Sequence, residues 1–307
     1  MEIPTPQKSD ALETDPSIHS SPDPPERLTY VFPEKVWHSA PHANLRDEQR
    51  EWASSWTKIN PFYRQELLST YSSDTFVRAH YSQTRPDIVE VYKALSIPIL
   101  RAELLRYLVI FAQGGIWSDL DVVCEKPVRY WLPTAYQHRS IDMVVGLEFD
   151  LEWRGPGTDV ATQFCSWVFM ARPFSRNLGV VIDSVVNKLK DISYRTDIPI
   201  ADFTLDTLPE EAVNITGPKI MTIALLDSLA RLLRRPVDDR DFAGIKRPKL
   251  VGDILVLPGN SFVALQDGFP TDQEDSLVTH FYDGSWKQVY EEAKERKKQN
   301  QEQEHAA

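Results

Sequence analysis

The chain has 307 residues, 42% of them hydrophobic, which is enough for one large α/β domain or two small ones with a sizeable core. Its formal net charge of −11 argues against nucleic acid and anionic membrane surfaces as partners, since both attract basic patches. No apolar run reaches the roughly 18 residues of a membrane span, and the two cysteines, Cys124 and Cys165, are too few for a zinc-finger cluster and read as two buried thiols, with a single disulfide as the alternative.

Residues 1–29 are rich in Pro, Ser and acidic side chains, and such a segment cannot bury enough surface to offset its ordering entropy. They are expected to be disordered, and they lack the basic start and apolar stretch of a signal peptide. One folded domain is expected over residues 30–290, with a charged tail over 291–307. Its first strand is expected at Tyr30–Trp37, with His38 directly after it. Asp47–Lys58 reads as a helix with Trp52 and Trp56 one turn apart in the core, ended by Asn60-Pro61. Then come a strand at Tyr63–Leu68, a helix capped by Ser72 or Ser73 and running to Tyr81, and a helix at Asp87–Leu95.

The next stretch, PILRAELLRYLVIFAQGGIWSDLDVVCEKP, organises the chain. Leu100, Leu104, Leu108 and Phe111 recur at helical spacing, and Leu105, Val109 and Ala112 widen the apolar face, so the helix should be buried almost all round. Gly114 and Gly115 stop it. Ile116 and Trp117 read as a short buried strand, and Asp119 and Asp121 stand at its end. Alternate side chains of an extended segment point the same way. The two carboxylates therefore repel unless a cation or strong donors sit between them. Mg2+ or Mn2+ takes such oxygen ligands and is completed by substrate phosphates. A D-x-D pattern alone also reads as a solvated turn. Glu103 and Arg106, three apart, form either an intrahelical ion pair or a pair pointing into a cleft beside Asp119.

Asp142–Phe149 is expected as a central strand with Glu148 and Asp150 at its end, and Phe164–Ala171 as another. Asn177–Ile192 is an amphipathic helix with Val181, Val185 and Leu189 on its stripe, followed by a loop over Ser193–Pro209. Thr216-Gly217-Pro218 opens a helix to Arg234, with Pro218 at its first position. Asn214-Ile215-Thr216 is a glycosylation sequon, usable only in the secretory pathway. Leu250–Leu257 and Leu277–Phe281 read as late strands, and a helix starts at Trp286.

The segment RAELLRYLVIFAQGGIWSDLDV resembles the DXD sugar-binding region of glycosyltransferase family 32, which includes the fungal initiation-specific α-1,6-mannosyltransferases. YVFPEKVW is similar to that family's opening I-P-K-x-I-W segment, Thr216-Gly217-Pro218 to a T-G-P step, and VTHFYDGSWK to its closing H-x-x-x-G-S-W-K. Glu103 stands where the family more often has Asp, a carboxylate of shorter reach. The resemblance implies a GT-A-like (Rossmann-type) α/β domain with a central, mostly parallel sheet flanked by helices. It implies a metal-dependent, retaining glycosyltransferase with a nucleotide-sugar donor, GDP-mannose favoured, and a glycan, lipid or small-molecule acceptor. Mn2+ or Mg2+ would be held by Asp121 and His280, with Asp119 at the ribose, at metal-bound water or on the metal itself. Arg106 would hold the donor sugar or a phosphate, Glu103 the ribose or sugar, and Gly217 would lie on the donor side. In a doubly wound sheet ligands bind at the carboxyl ends of strands, so His38, with Ser39 and Ala40, would neighbour the nucleotide base. Ser285 and Trp286 would cover the pyrophosphate and exclude water. Glu148 and Asp150 would contact the acceptor or stabilise an oxocarbenium ion. Members of that family sit in the Golgi lumen behind an N-terminal anchor; without an anchor in this sequence, Golgi lumen and cytosol both stay open.

Two other readings remain. DLDVV also fits the D-x-D-x-V nucleophile motif of haloacid-dehalogenase-type phosphatases, with Asp119 attacking phosphorus and Lys219 and Asp238-Asp239 as later motifs. The helix and Gly-Gly before the motif weigh against it, because that class places a long hydrophobic strand there. The third reading is a catalytically silent relative that binds a nucleotide sugar or a partner protein, against which the intact Asp119/Asp121 pair weighs.

Overall fold

The computed structural model describes residues 32–151, 160–263 and 276–283, together with 292, 295 and 296. The expectations for residues 1–29, for Ser285 and Trp286, and for the helix opening at Trp286 lie outside the described residues.

The first half of the domain holds β1 (Lys35–Ser39), α1 (Asp47–Ile59), β2 (Arg64–Leu68), α2 (Thr70–Tyr81), α3 (Pro86–Ala94), α4 (Pro98–Gln113), β3 (Gly115–Ser118) and β4 (Val122–Cys124). The second holds β5 (Met143–Asp150), β6 (Thr162–Phe164), β7 (Val168–Ala171), α5 (Arg176–Thr196), α6 (Ala212–Ile215), α7 (Pro218–Leu233), β8 (Lys249–Val251), β9 (Ile254–Leu257), α8 (Gly259–Val263) and β10 (Val278–His280). The main sheet runs β2-β1-β3-β7-β5-β9-β8, with β6 on β5. β1, β2, β3, β5 and β9 point one way, while β7 and β8 run against them. This is the expected α/β architecture with most strands of the sheet parallel in direction. β10 and β4 form a separate antiparallel pair.

Side-chain alternation builds a core on each face. Trp37, Trp117, Met143, Val145, Ile254 and Val256 face α2, α4, α5 and α7. Val36, Ile116, Val144, Leu255 and Leu257 face Trp56 of α1, β4, α8 and β10. Helix α4 is buried along most of its length because its apolar positions run nearly all round. Its stop needs both glycines. Gly114 has φ 65°, and a Cβ there would meet the Pro173 ring at 2.6 Å; Gly115 has φ 98°, and a Cβ would meet the Lys35 carbonyl oxygen at 2.6 Å.

Several boundaries differ from expectation. Pairing of β1 begins only after Pro33, whose carbonyl accepts the Lys35 N–H in a turn, and it continues to Ser39, so His38 lies inside the strand. Helix α2 is capped by Ser69, not Ser72 or Ser73; Ser72 is its reciprocal partner, donating its N–H to Ser69 Oγ at 3.3 Å while its Oγ accepts the Ser69 N–H at 2.8 Å. The Phe164–Ala171 run is two strands. β6 pairs with β5, β7 pairs with both β3 and β5, and Cys165–Trp167 make the change of partner. The Leu250–Leu257 run is a hairpin turned at Gly252, which has φ 59°. Helix α5 continues through the expected loop start to Thr196, with Asp197 left-handed at its end.

Candidate active site

The carboxyl ends of β1, β2, β3 and β5 lie along one edge of the sheet, and the D-x-D segment occupies the turn between β3 and β4 at that edge. The turn is held from both sides. The Asp119 N–H donates to the Trp167 carbonyl at 2.9 Å, and the Phe281 N–H donates to the Asp121 carbonyl at 2.9 Å. The short strand β10 thus carries its following residues across the motif.

Arg106 reaches this turn from α4. It is buried, and its two terminal nitrogens donate to Ser166 Oγ at 2.8 Å and to Asp119 Oδ2 at 3.3 Å. The other Asp119 oxygen accepts Trp117 Nε1–H at 2.7 Å. Both oxygens of Asp119 are therefore engaged, and its cation is the guanidinium. Glu103, one helical turn earlier, is also buried and accepts the Thr216 hydroxyl at 2.5 Å. Glu103 and Arg106 therefore both face the cluster around Asp119, with Thr216 brought in from the start of α7. Gly217 next to it is buried, and its carbonyl accepts the Tyr107 hydroxyl at 3.3 Å.

The carboxylates are tuned apart. Burial raises Asp119 above the usual range, with Arg106 opposing and the Asp121 charge adding. Burial also pushes Asp121 upward, but His280 and the N–H of Asp283 more than offset it and hold the group below the usual range. Glu103 is pushed up to about 7 by burial, against the pull of Arg106 and Thr216.

Asp121 Oδ2 lies 3.3 Å from His280 Nε2 and accepts the Asp283 N–H at 3.0 Å. A carboxylate oxygen beside an imidazole nitrogen is a donor pair that suits Mn2+. Among the described residues no group of three or more His, Cys, Asp and Glu side chains gathers as a complete metal site. The pair therefore fits an ion that takes its remaining ligands from a substrate diphosphate. The ring of His280 packs against Trp167 at 4.2 Å and Tyr282 at 3.8 Å between centroids. Beyond it Phe281 stacks on Trp52 at 5.0 Å, and Asp283 pairs with Arg46.

The other expected residues are placed differently. His38 is buried, with Nδ1 on the Ser118 carbonyl at 2.8 Å and Nε2 on Gln65 at 2.9 Å, and burial depresses it to about 4. With both nitrogens engaged it ties β1 to β3 and offers nothing to a base. Beside it, Pro41, His42, Ser69, Thr70 and Tyr71 line a hollow of about 650 Å³ at the carboxyl ends of β1 and β2. Glu148 accepts Gln163 Nε2 at 2.9 Å and faces Glu103 closely enough to raise it. Asp150 accepts the Thr162 hydroxyl at 2.8 Å and the Gly244 N–H at 2.5 Å, so it braces β6 and the loop beyond. Of the phosphatase residues, Asp239 is buried and accepts the N–H groups of Ala161 and Thr162, and Lys219 lines a groove with Lys188, Asp191 and Glu210. Asp119 meets Arg106 instead of either. Sequence reasoning missed Ser166, Trp167, Tyr282 and Asp283. The first two sat inside an apolar run read as strand, and the last two follow a three-residue strand with no pattern of their own.

Residues 46–138 match the family described as "Glycosyltransferase sugar-binding region containing DXD motif". The resemblance read from the α4–β3 segment therefore holds. The chain is 28% identical over 263 residues to an initiation-specific alpha-1,6-mannosyltransferase of Schizosaccharomyces pombe, covering 83% of this chain and 64% of that protein. It is 26% identical to the protein of the same name from Candida albicans, covering 83% and 72%. Among solved structures, PaToxG Glycosyltransferase aligns with a TM-score of 0.45 at 14% identity, over 66% of this chain and 71% of that one. No helix among the described residues is long and apolar enough to cross a membrane.

Proposed function

We propose that this chain, which carries a DXD-containing sugar-binding region, is a metal-dependent, retaining glycosyltransferase. It moves a sugar, mannose from GDP-mannose foremost, onto a hydroxyl of a glycan, lipid or small-molecule acceptor. The observation that carries this reading is the convergence of a buried guanidinium, the Asp119–Asp121 turn and the Asp121–His280 donor pair at the carboxyl edge of the sheet. The mannosyltransferase relatives support the choice of sugar.

Asp121 and His280 would hold Mn2+ or Mg2+, and the ion supplies charge to offset the leaving nucleotide diphosphate. Arg106 stays charged and is locked by Ser166 and Asp119, so its fork is pre-oriented toward donor phosphate or sugar oxygens. Glu103, poised near neutrality, accepts or donates hydrogen bonds to the donor's hydroxyls as its proton allows. The hollow beside Ser39 and Ala40 takes the nucleobase, in place of a contact to His38. Gly217 borders the donor sugar, and Glu148 faces the acceptor.

A screen of nucleotide sugars for turnover, with and without Mn2+, tests the reading. GDP-mannose should be consumed in Mn2+, not in excess chelator, and not by Asp121→Asn. Full turnover in chelator would remove the metal mechanism. Robust phosphomonoester hydrolysis abolished by Asp119→Asn would turn the reading to a phosphatase.

A further inference from the structure

We propose that Trp167 and Tyr282 are positioning residues that set His280 as a metal ligand, an inference that rests on the ion-binding reading above. Two aromatic rings flank the imidazole, with centroids 4.2 Å and 3.8 Å away. Trp167 brings its ring from the second core, where it also packs on Phe262 at 6.3 Å between centroids, and Tyr282 brings its ring from the segment after β10.

Tyr282 sits at φ 51°, in the left-handed region that a bulky L residue rarely adopts. Strain of this kind persists where the surroundings over-determine it and where it serves a site. Here the flanking N–H groups fix it. Phe281 N–H donates to the Asp121 carbonyl at 2.9 Å and Asp283 N–H to Asp121 Oδ2 at 3.0 Å. The chain is thus forced through a left-handed residue while both neighbours stay on Asp121. A glycine or asparagine would make that turn at less cost. The tyrosine ring is the feature that backbone economy does not explain, and it lies on His280.

Trp167 arrives from the opposite side of the motif. Its carbonyl accepts the Asp119 N–H at 2.9 Å while its indole packs on the imidazole. One residue therefore references the ring of His280 to the turn that carries both carboxylates. His280 is buried on a three-residue strand, and these two rings are among the surfaces its imidazole packs against. The two rings flank the imidazole where its Nε2 lies 3.3 Å from Asp121 Oδ2, the arrangement of a donor pair. Groups that orient a ligand in this way contribute to metal affinity without touching the metal.

Tyr282→Gly separates the ring from the turn, because glycine accepts the left-handed backbone and removes only the side chain. The full chain should be titrated with Mn2+, alone and with GDP present, following the free-ion electron paramagnetic resonance signal. Imidazole-nitrogen coupling to the bound ion is read from the pulsed spectrum, and a melting curve is recorded beside it. Tyr282→Gly should weaken Mn2+ binding about 10–100-fold and lose the nitrogen coupling without melting lower, whereas Tyr282→Phe should stay within about twofold of the parent. Trp167→Leu should weaken binding in the same way, although its burial makes it melt earlier. Parental Mn2+ affinity and coupling in Tyr282→Gly would overturn the positioning role and leave the ion site standing. Failure of the parent chain to bind Mn2+ both alone and with GDP present would remove the ion site and this inference together.

Discussion

Glu103 makes the sharpest statement at the scale of one residue. Its carboxyl is raised from 4.5 to about 7, chiefly by burial. The native state therefore binds this proton more tightly than the unfolded chain does. The stabilisation is complete below about pH 4.5 and is lost as pH rises through about 7. Glu103→Gln should remove up to roughly 3 kcal/mol of that dependence, read as urea midpoints at pH 5 and pH 8. An unchanged slope would mean that the carboxyl is not the buried acid described here. His38 works in the opposite sense. Depressed to about 4, it contributes stability above about 6.5 that is lost as pH falls toward 4. Arg106 gives a second test. Lysine has no planar fork to reach Ser166 and Asp119 together. Arg106→Lys should therefore lower turnover of the folded fraction about 10²-fold, close to the loss in Arg106→Ala. The meeting of Arg106 with the D-x-D turn was legible in the sequence as one of two readings, because helical spacing that puts Glu103 and Arg106 on one face suits an intrahelical ion pair as well; the bonds of Arg106 to Asp119 and of Thr216 to Glu103 decide for the cleft. The engagement of His38 was not, since nothing in YVFPEKVWH records that Gln65 arrives on the neighbouring strand.

At the scale of elements, α4 and β3 behave as one unit joined by two glycines. Gly115→Ala would bring a methyl group against the Lys35 carbonyl and strain a backbone at φ 98°. It should cost about 2–4 kcal/mol in denaturant unfolding and release the start of β3, which aims the motif. Loss of less than about 1 kcal/mol would show that β1 can give way at that point. Helices α4 and α7 were readable because apolar periodicity and terminal Gly and Pro mark them without reference to the rest of the fold, and the body of α5 was readable from its periodicity alone. The breaks at Cys165–Trp167 and Gly252 were not. Continuous apolar runs are buried on both faces, and composition does not say where a strand exchanges one neighbour for another. The functional consequence was larger than the boundary error, because the first break is where Trp167 and Ser166 meet the motif.

For the whole molecule, the C-terminal strand belongs to the second core as much as to the site. Val278 is fully buried and pairs with Cys124. A chain ending before Val278 should lose Mn2+ binding and transfer together and should melt lower, whereas one ending after Glu295 should keep both. Melting curves and Mn2+ titration of the two truncations decide it; retained Mn2+ affinity in the shorter chain would exclude His280 as a ligand.

The site also joins partners of very different distance along the chain. Arg106 and Asp119 are 13 positions apart, whereas Asp283 and Asp121 are 162 apart. Closing the longer loop costs only about 2 kcal/mol more, yet contacts between distant segments form late because the intervening chain must order first. The half that sets Arg106 on Asp119 is thus a local product of one helix and its returning strand. The half that sets His280 and Asp283 on Asp121 waits for β10 and the residues after it. On refolding, Mn2+ affinity should recover later than burial of Trp117, and on a ribosome the chain would finish its carboxylate–guanidinium pair long before His280 is synthesised.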